Sequence, residues 1–339
     1  MIVMSVFLPR HLARRSLFLL CALCAALLLI WPRPAMEAVR EALRLCTETI
    51  VPSLFPFLVF SALLTALAPM DRLEKLLSPL MQPLFHLSGC SAAVLLLGFT
   101  GGYPVGVRTT TALYREGHLN GNEAERLLAF CNNSGPGFLL GVVGVGVFGS
   151  TAVGLWLYAI HILAALLVGL LFRFYRCNGK AAVCNSSKLH KVPRAKSLPQ
   201  VFTEAVTGSF SAVLNICAFV LFFMIALRLL AFTGALHLLA AFLTWLLSPL
   251  GMTEHLSTAL IAGILELSTG SACLQGAPLT AGTAALASFL LGWGGLSVHC
   301  QSMIFLLESG LPCKTYFIGK SLQGIFSAML AFFLFRMLF

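Results

Sequence analysis

The sequence predicts an all-α polytopic membrane protein of two inverted repeats, each with a re-entrant helical hairpin and a broken transmembrane helix. Three observations carry this expectation. Hydrophobic residues make up 59% of the 339 positions and charged residues only 10%, where soluble chains carry roughly 25% charged. The apolar runs are long and continuous, which suits helices rather than the alternating strands of an outer-membrane barrel. The same order of features occurs twice along the chain. So few charges cannot clothe a soluble surface, which excludes a cytosolic enzyme, a disordered chain and a secreted disulfide scaffold.

The formal net charge is +10, from 22 Lys+Arg against 12 Asp+Glu, and Asp71 is the sole Asp. The positive-inside rule assigns this excess to cytoplasmic loops. No nucleic-acid module accompanies it, so the expected partner is the lipid bilayer and not a nucleic acid. Eleven Cys are scattered along the chain. Cys21 and Cys24 form a CxxC inside an apolar run, and Cys177 and Cys184 lack the paired spacing of a zinc site. Neither a metal nor a cofactor is expected.

Taken in order, Arg10, Arg14 and Arg15 precede the apolar run 16–30, which reads as a retained anchor helix with a cytoplasmic N-terminus. Residues 37–50 mix Glu37, Arg40, Glu41, Arg44 and Glu48 with apolar positions and predict an interfacial amphipathic helix. Pro52 and Pro56 are expected to break the chain before the next span, which ends near Leu67. Residues 90–116 are neither a clean span nor a loop. Gly98, Gly101, Gly102, Pro104 and Gly106 interrupt them, which predicts two half-helices around a tip. Residues 127–148 form a span broken at Asn132-Asn133-Ser134-Gly135-Pro136-Gly137, and residues 151–172 an ordinary span. Residues 173–196 hold seven Lys/Arg and no acid, the mark of the main cytoplasmic loop.

The second half repeats this order. A span begins at Ser211, and residues 254–278 form a second expected hairpin around Glu266-Leu267-Ser268-Thr269-Gly270-Ser271. Residues 281–307 are a span broken at Gly292-Trp293-Gly294-Gly295, and residues 316–335 are the last span. Leu76-Leu77-Ser78-Pro79-Leu80 recurs identically 170 residues later as Leu246-Leu247-Ser248-Pro249-Leu250. Counting crossings from a cytoplasmic N-terminus makes the halves inverted, places Lys314 and Lys320 on the inside and puts the C-terminus outside. Inverted repeats with paired discontinuous helices are a secondary-transporter architecture.

The stretch Gly98-Phe-Thr-Gly-Gly-Tyr-Pro-Val-Gly-Val-Arg108, with Glu125-Arg-Leu-Leu-Ala-Phe-Cys-Asn-Asn-Ser-Gly-Pro-Gly137, resembles the YlbJ-type sporulation integral membrane proteins of the nucleoside-recognition (Gate) group. The resemblance covers roughly residues 40 to 335. More distantly, residues 98–108 and 285–297 are similar to the first hairpin and a later motif of concentrative nucleoside transporters. A Gly, at 101 or 102, stands where that hairpin motif has Glu, and Leu291 or Gly292 stands where the later motif has Asn. The resemblance therefore implies the fold more directly than nucleoside transport. The sporulation family is associated with moving dipicolinate, a small aromatic dicarboxylate, towards the forespore. It implies the bacterial cytoplasmic membrane, and specifically the mother-cell-derived outer forespore membrane. The expected organisation is an anchor and interfacial helix over 1–53, a Gate-like repeat over 54–172, a basic cytoplasmic loop over 173–200 and a second Gate-like repeat over 201–339.

The expected function is transport of a small anionic solute, dipicolinate in the sporulation setting. The alternatives are a nucleoside or nucleobase transporter and a non-transporting assembly factor for spore formation. H+ or Na+ is the coupling ion to consider, and the oligomeric state is not legible. Arg108 lies just past the first tip; a charge at mid-membrane costs roughly 2.5–3.5 kcal/mol, and its planar fork suits a carboxylate. The competing role for Arg108 is an ion pair to Glu266 or an interfacial snorkel. Glu266 has no other charge nearby in sequence and is either a proton carrier or the partner of an Arg. Thr100, Gly101, Gly102 and Tyr103, and Ser268, Thr269 and Ser271, occupy the tips, where backbone N–H groups can meet an anion or simply pack. Asn132, Asn133 and Ser134 offer amide and hydroxyl groups in a broken helix. Gly144-x-Gly146-x-x-Gly149 matches a dinucleotide fingerprint but follows no strand. His161, His237 and His299 read as packing residues and Arg228 as a helix-end snorkel. No nucleophile–base–orienter set emerges, so no enzyme is expected.

Overall fold

The computed structural model describes residues 10–67, 70–176 and 197–338. All regular structure among them is helical. The basic loop expected over 173–200 falls mostly outside the described residues. Among the described residues five helices are long and apolar enough to cross a membrane: Pro32–Leu64, Thr151–Phe172, Leu198–Phe232, Ala281–Ser309 and Lys314–Met337. Their outward faces are apolar. Leu155 and Leu171 on one helix, and Phe202, Phe210 and Phe222 on another, are exposed, as lipid-facing positions are. The chain is an all-α, multi-spanning membrane protein.

In the first half, α1 covers Arg10–Ile30 and α2 covers Pro32–Leu45. The latter runs through a wide π turn at Cys46–Ile50 directly into α3, Val51–Leu67. The break expected at Pro52 and Pro56 does not occur. A proline removes one N–H from the helical ladder, and here the wide turn lies just ahead of Pro52, with Val51 N–H reaching the Cys46 carbonyl. One continuous helix therefore runs over Pro32–Leu64. Arg228 pairs with Glu41 on α2 rather than only snorkelling.

Helix α4, Met70–Phe85, contains the first copy of the repeated pentapeptide. Helices α5, Ser91–Gly101, and α6, Val105–Arg115, follow. They fold back on one another around Gly102-Tyr103-Pro104, with a cis bond before Pro104. Gly98 and Gly106 form a notch between them. A Cβ on either would lie 2.0 or 1.9 Å from the Cys131 carbonyl oxygen.

Helix α7, Gly121–Leu128, starts in a capping box: Asn120 Oδ1 accepts from Glu123 N at 2.8 Å, and Glu123 Oε2 accepts from Asn120 N at 3.2 Å. Glu123, Glu125 and Arg126 are buried. Arg126 donates to the carbonyls of His86, Tyr175 and Arg176, and Glu125 pairs with Arg176. These bonds fix α7 to the end of α8, Thr151–Phe172. Between α7 and α8 the chain loses helical form over 132–135 and resumes as a π-helical segment, Gly137–Val147. Gly144 there serves packing: a Cβ on it would lie 2.7 Å from the Gly154 Cα of α8.

In the second half, α9 spans Leu198–Phe232 and α10 Ala235–Leu246. The second copy of the pentapeptide ends a helix instead of continuing it: α10 stops at Leu246, and a short turn, Ser248–Leu250, follows and closes on Gly251 at φ 74°. Helices α11, Glu254–Leu265, and α12, Leu267–Ala272, pack together across Glu266. A Cβ on Gly270 would lie 2.1 Å from the Gly263 Cα, so only glycine permits this approach. Helices α13, Ala281–Trp293, and α14, Gly295–Ser309, are separated by Gly294 and Gly295 at φ 89° and 78°. Helix α15, Lys314–Leu338, packs along α13 and α8, with Gly292 against Gly324 and Gly319 against Ala129.

Candidate functional site

A cavity of about 700 Å³ opens among α3, the α5–α6 turn, the 134–138 segment, α9, the α11–α12 junction and α14. The volume lies within the range of small-molecule sites. Each non-helical junction touches another. Gly102 at the first tip lies against Gly135 in the 132–135 break, and Gly295 lies against the backbone of Glu266 and Leu267. A Cβ on Gly294 would stand 3.1 Å from the Tyr103 phenol, so the first tip also meets the break between α13 and α14.

Thr100, Gly101, Gly102, Tyr103, Arg108, Ser134, Glu266 and Ser268 line the cavity. Asn132, Asn133, Thr269 and Ser271 are buried but do not line it. Arg108 is exposed and forms no ion pair among the described residues. The Arg108–Glu266 ion pair weighed from the sequence is therefore not formed. Glu266 instead caps α12, its Oε2 accepting from Thr269 N at 2.6 Å, which gives this buried carboxylate a local structural job. Thr100 turns its hydroxyl back to the Leu96 carbonyl at 2.8 Å, while its own carbonyl accepts from Ser61.

Behind the cavity wall lies a polar cluster that the sequence reading missed. Its centre is Lys320, which was expected at the inner end of the last span. Helix α15 begins at Lys314, so Lys320 is carried into the packed interior and is fully buried. Its Nζ donates to Tyr103 OH at 2.9 Å, to the Asn132 carbonyl at 3.0 Å and to Gln323 Oε1 at 2.8 Å. Gln323 Nε2 donates to Asn133 Oδ1 at 2.8 Å, and Asn133 Nδ2 donates to the Phe130 carbonyl at 2.9 Å. Asn132 Nδ2 donates to Ser302 Oγ at 3.0 Å and to Tyr316 OH at 3.3 Å, and Tyr316 OH lies 3.0 Å from His299 Nδ1. Ser134 N donates to His161 Nε2 at 3.2 Å.

This cluster explains how a broken backbone survives at depth. Unpaired peptide groups in the apolar phase are tolerated only where protein supplies partners. Here Lys320 meets the Asn132 carbonyl and His161 meets the Ser134 N–H. One sequence signal would have found the cluster: Tyr316, Lys320, Gln323 and Ser327 recur at helical spacing on a largely apolar helix, and all four are buried. His161 and His299 belong to it and are not mere packing residues. Among the described residues no group of His, Cys, Asp and Glu is arranged to hold a metal ion.

Comparisons with known proteins fit this geometry. A family model described as "Gate: Nucleoside recognition" matches residues 47–172. The fold is similar to the structure titled "Structure of CNTnw in an inward-facing substrate-bound state", with a TM-score of 0.51 and 15% identity over 98% of this chain and 87% of that one. The chain is 31% identical over 323 residues to the sporulation integral membrane protein YlbJ of Bacillus subtilis (strain 168), covering 91% of this chain and 79% of that protein. With similarity of that extent, and with the interrupted helices meeting at one cavity, this chain belongs to the YlbJ family of sporulation integral membrane proteins.

Proposed function

We propose that the protein is a secondary transporter that moves a small solute, without covalent chemistry on it, through the cavity between two inverted repeats. The observation that carries this reading is that both fold-back turns, Gly102-Tyr103-Pro104 and Glu266, line the same 700 Å³ space. Each turn also touches the break in the broken helix of its own half, through Gly135 and Gly295. In this reading α5–α6 and α11–α12 are re-entrant hairpins entering from opposite sides, and the cavity lies near the pseudo-twofold axis between halves 54–172 and 201–339.

The solute class that the Gate match and the fold favour is a nucleoside or nucleobase. Phe57, Phe219 and Phe305, with Asn215 and Gln301, give the cavity aromatic faces and amide groups for a planar base. A second reading, a small anionic solute such as dipicolinate, rests on Arg108, a cavity-lining guanidinium with no carboxylate partner among the described residues. The membrane proposed for either reading is the mother-cell-derived outer forespore membrane, with H+ or Na+ as the ion to test for coupling.

Purified protein in liposomes, offered labelled uridine, uracil and dipicolinate in parallel, tests the proposal. Saturable uptake of one class, abolished by competition within that class, is the expected result. Neither uptake nor binding of any of the three would overturn transport of these solutes and favour the assembly-factor reading.

A further inference from the structure

The surroundings of Lys320 resemble the inner shell of a small cation more than those of an ion pair. Three oxygens face Nζ: a phenol, a peptide carbonyl and a side-chain amide, at 2.9, 3.0 and 2.8 Å. They come from the first tip, from the 132–135 break and from α15, so the nitrogen joins three parts of the fold. The Tyr103 ring adds its face, with Nζ 4.9 Å from the ring centroid. No carboxylate pairs with Lys320 among the described residues. A set of neutral oxygens without a carboxylate suits a monovalent cation, as carbonyl-lined ion sites do.

The directions of the hydrogen bonds agree. Tyr103 spends its proton on the Leu291 carbonyl at 2.9 Å, so towards Nζ its oxygen can only accept. The Asn132 carbonyl and Gln323 Oε1 are acceptors by nature. Three acceptors match the three protons that the ammonium form carries.

We infer that Lys320 is a tethered cation filling a site of monovalent-cation chemistry between the first tip and the first broken helix, so that these two elements are held together without a dissolved metal ion. The inference is independent of which solute the cavity takes. It implies that the wild-type protein is indifferent to Na+ at this junction, and that removing the side chain creates a vacancy a small cation can fill.

The test is thermal unfolding of the full chain in detergent, with sodium, potassium, n-propylammonium or N-methyl-D-glucamine as the only monovalent cation. The proteins are wild type, Lys320→Ala and Lys320→Gln. Glutamine keeps length and polarity without charge and reports if the alanine variant is too weak to purify. Wild type is expected to melt at the same temperature in all four media. Both variants are expected to melt several degrees lower in N-methyl-D-glucamine and to regain part of that loss in sodium or potassium. Propylammonium, which restores the missing amine on a short stem, should rescue Lys320→Ala alone. If the variants fold only when sodium or propylammonium is present throughout purification, the yield reports the same result. A wild type stabilised by sodium over N-methyl-D-glucamine as much as the variants are overturns the inference. So do variants that respond to no cation, whether folded in all four media or in none.

Discussion

Gly102 and Gly135 pack backbone against backbone, and a Cβ on Gly102 would stand 3.0 Å from the Gly135 nitrogen. Gly102 also has φ 74°, a region costly for residues with a side chain. Gly102→Ala is therefore expected to lose about 1–3 kcal/mol from strain and overpacking together. Gly117 also has positive φ, 75°, with nothing within 4 Å of a Cβ, so Gly117→Ala carries a positive-φ cost without overpacking, whereas Gly102, with ψ −171°, sits in backbone that essentially only glycine adopts and adds the close contact. Chemical denaturation of both should rank Gly102→Ala as the more damaging. Equal losses would mean that the contact with Gly135 is unimportant.

The glycine notches give a sharper test of the two fold-back turns. Gly106→Ala and Gly270→Ala each place a Cβ about 2 Å from backbone, at 1.9 Å from the Cys131 oxygen and 2.1 Å from the Gly263 Cα. Backbone cannot swing aside as a side chain can, so each should cost on the order of 3 kcal/mol or prevent folding. Gly121→Ala, where the nearest atom to a Cβ is 3.9 Å away, should be close to neutral by the same measurement.

Arg108 and Glu266 should behave as independent residues. Arg108 is exposed and unpaired with any carboxylate among the described residues, so Arg108→Ala should change stability by no more than about 0.5 kcal/mol. Glu266→Ala removes the cap on the Thr269 N–H and should cost about 0.5–2 kcal/mol. The double mutant should equal the sum within roughly 0.5 kcal/mol. If Arg108 holds an anionic solute, Arg108→Lys should weaken binding of dipicolinate without moving the melting temperature, because the ammonium lacks the planar fork. A coupling energy well above that margin in the stability cycle would show that the two charges do interact.

Topology follows from charge and crossing number. Single cysteines placed in loop 173–196 and at the C-terminus of a Cys-free chain should be labelled from opposite sides, the loop from the cytoplasm. Labelling of both from one side would remove the inverted relation between the halves.

Much of the architecture was written in local sequence. Long apolar runs can only be spans, and glycine and proline at 98–106, 132–137 and 292–295 mark where helices stop, because those residues remove side chains or donors that a helix needs. The approximate places where the helices are interrupted were legible for that reason. The tertiary structure decided what those signals could not. Identical pentapeptides continue a helix at 76–80 and end one at 246–250, where a glycine follows. The cap on Glu266 and the open side of Arg108 depend on neighbours in space. Lys320 is the clearest case. One basic residue near a helix start reads as an interfacial charge, and only the fold brings Tyr103 and the Asn132 carbonyl, about two hundred positions earlier, to its nitrogen. Sequence determines which segments enter the membrane because hydrophobicity is a local property. Which polar groups meet inside depends on long-range packing, and that is decided only when the broken helices close around one another.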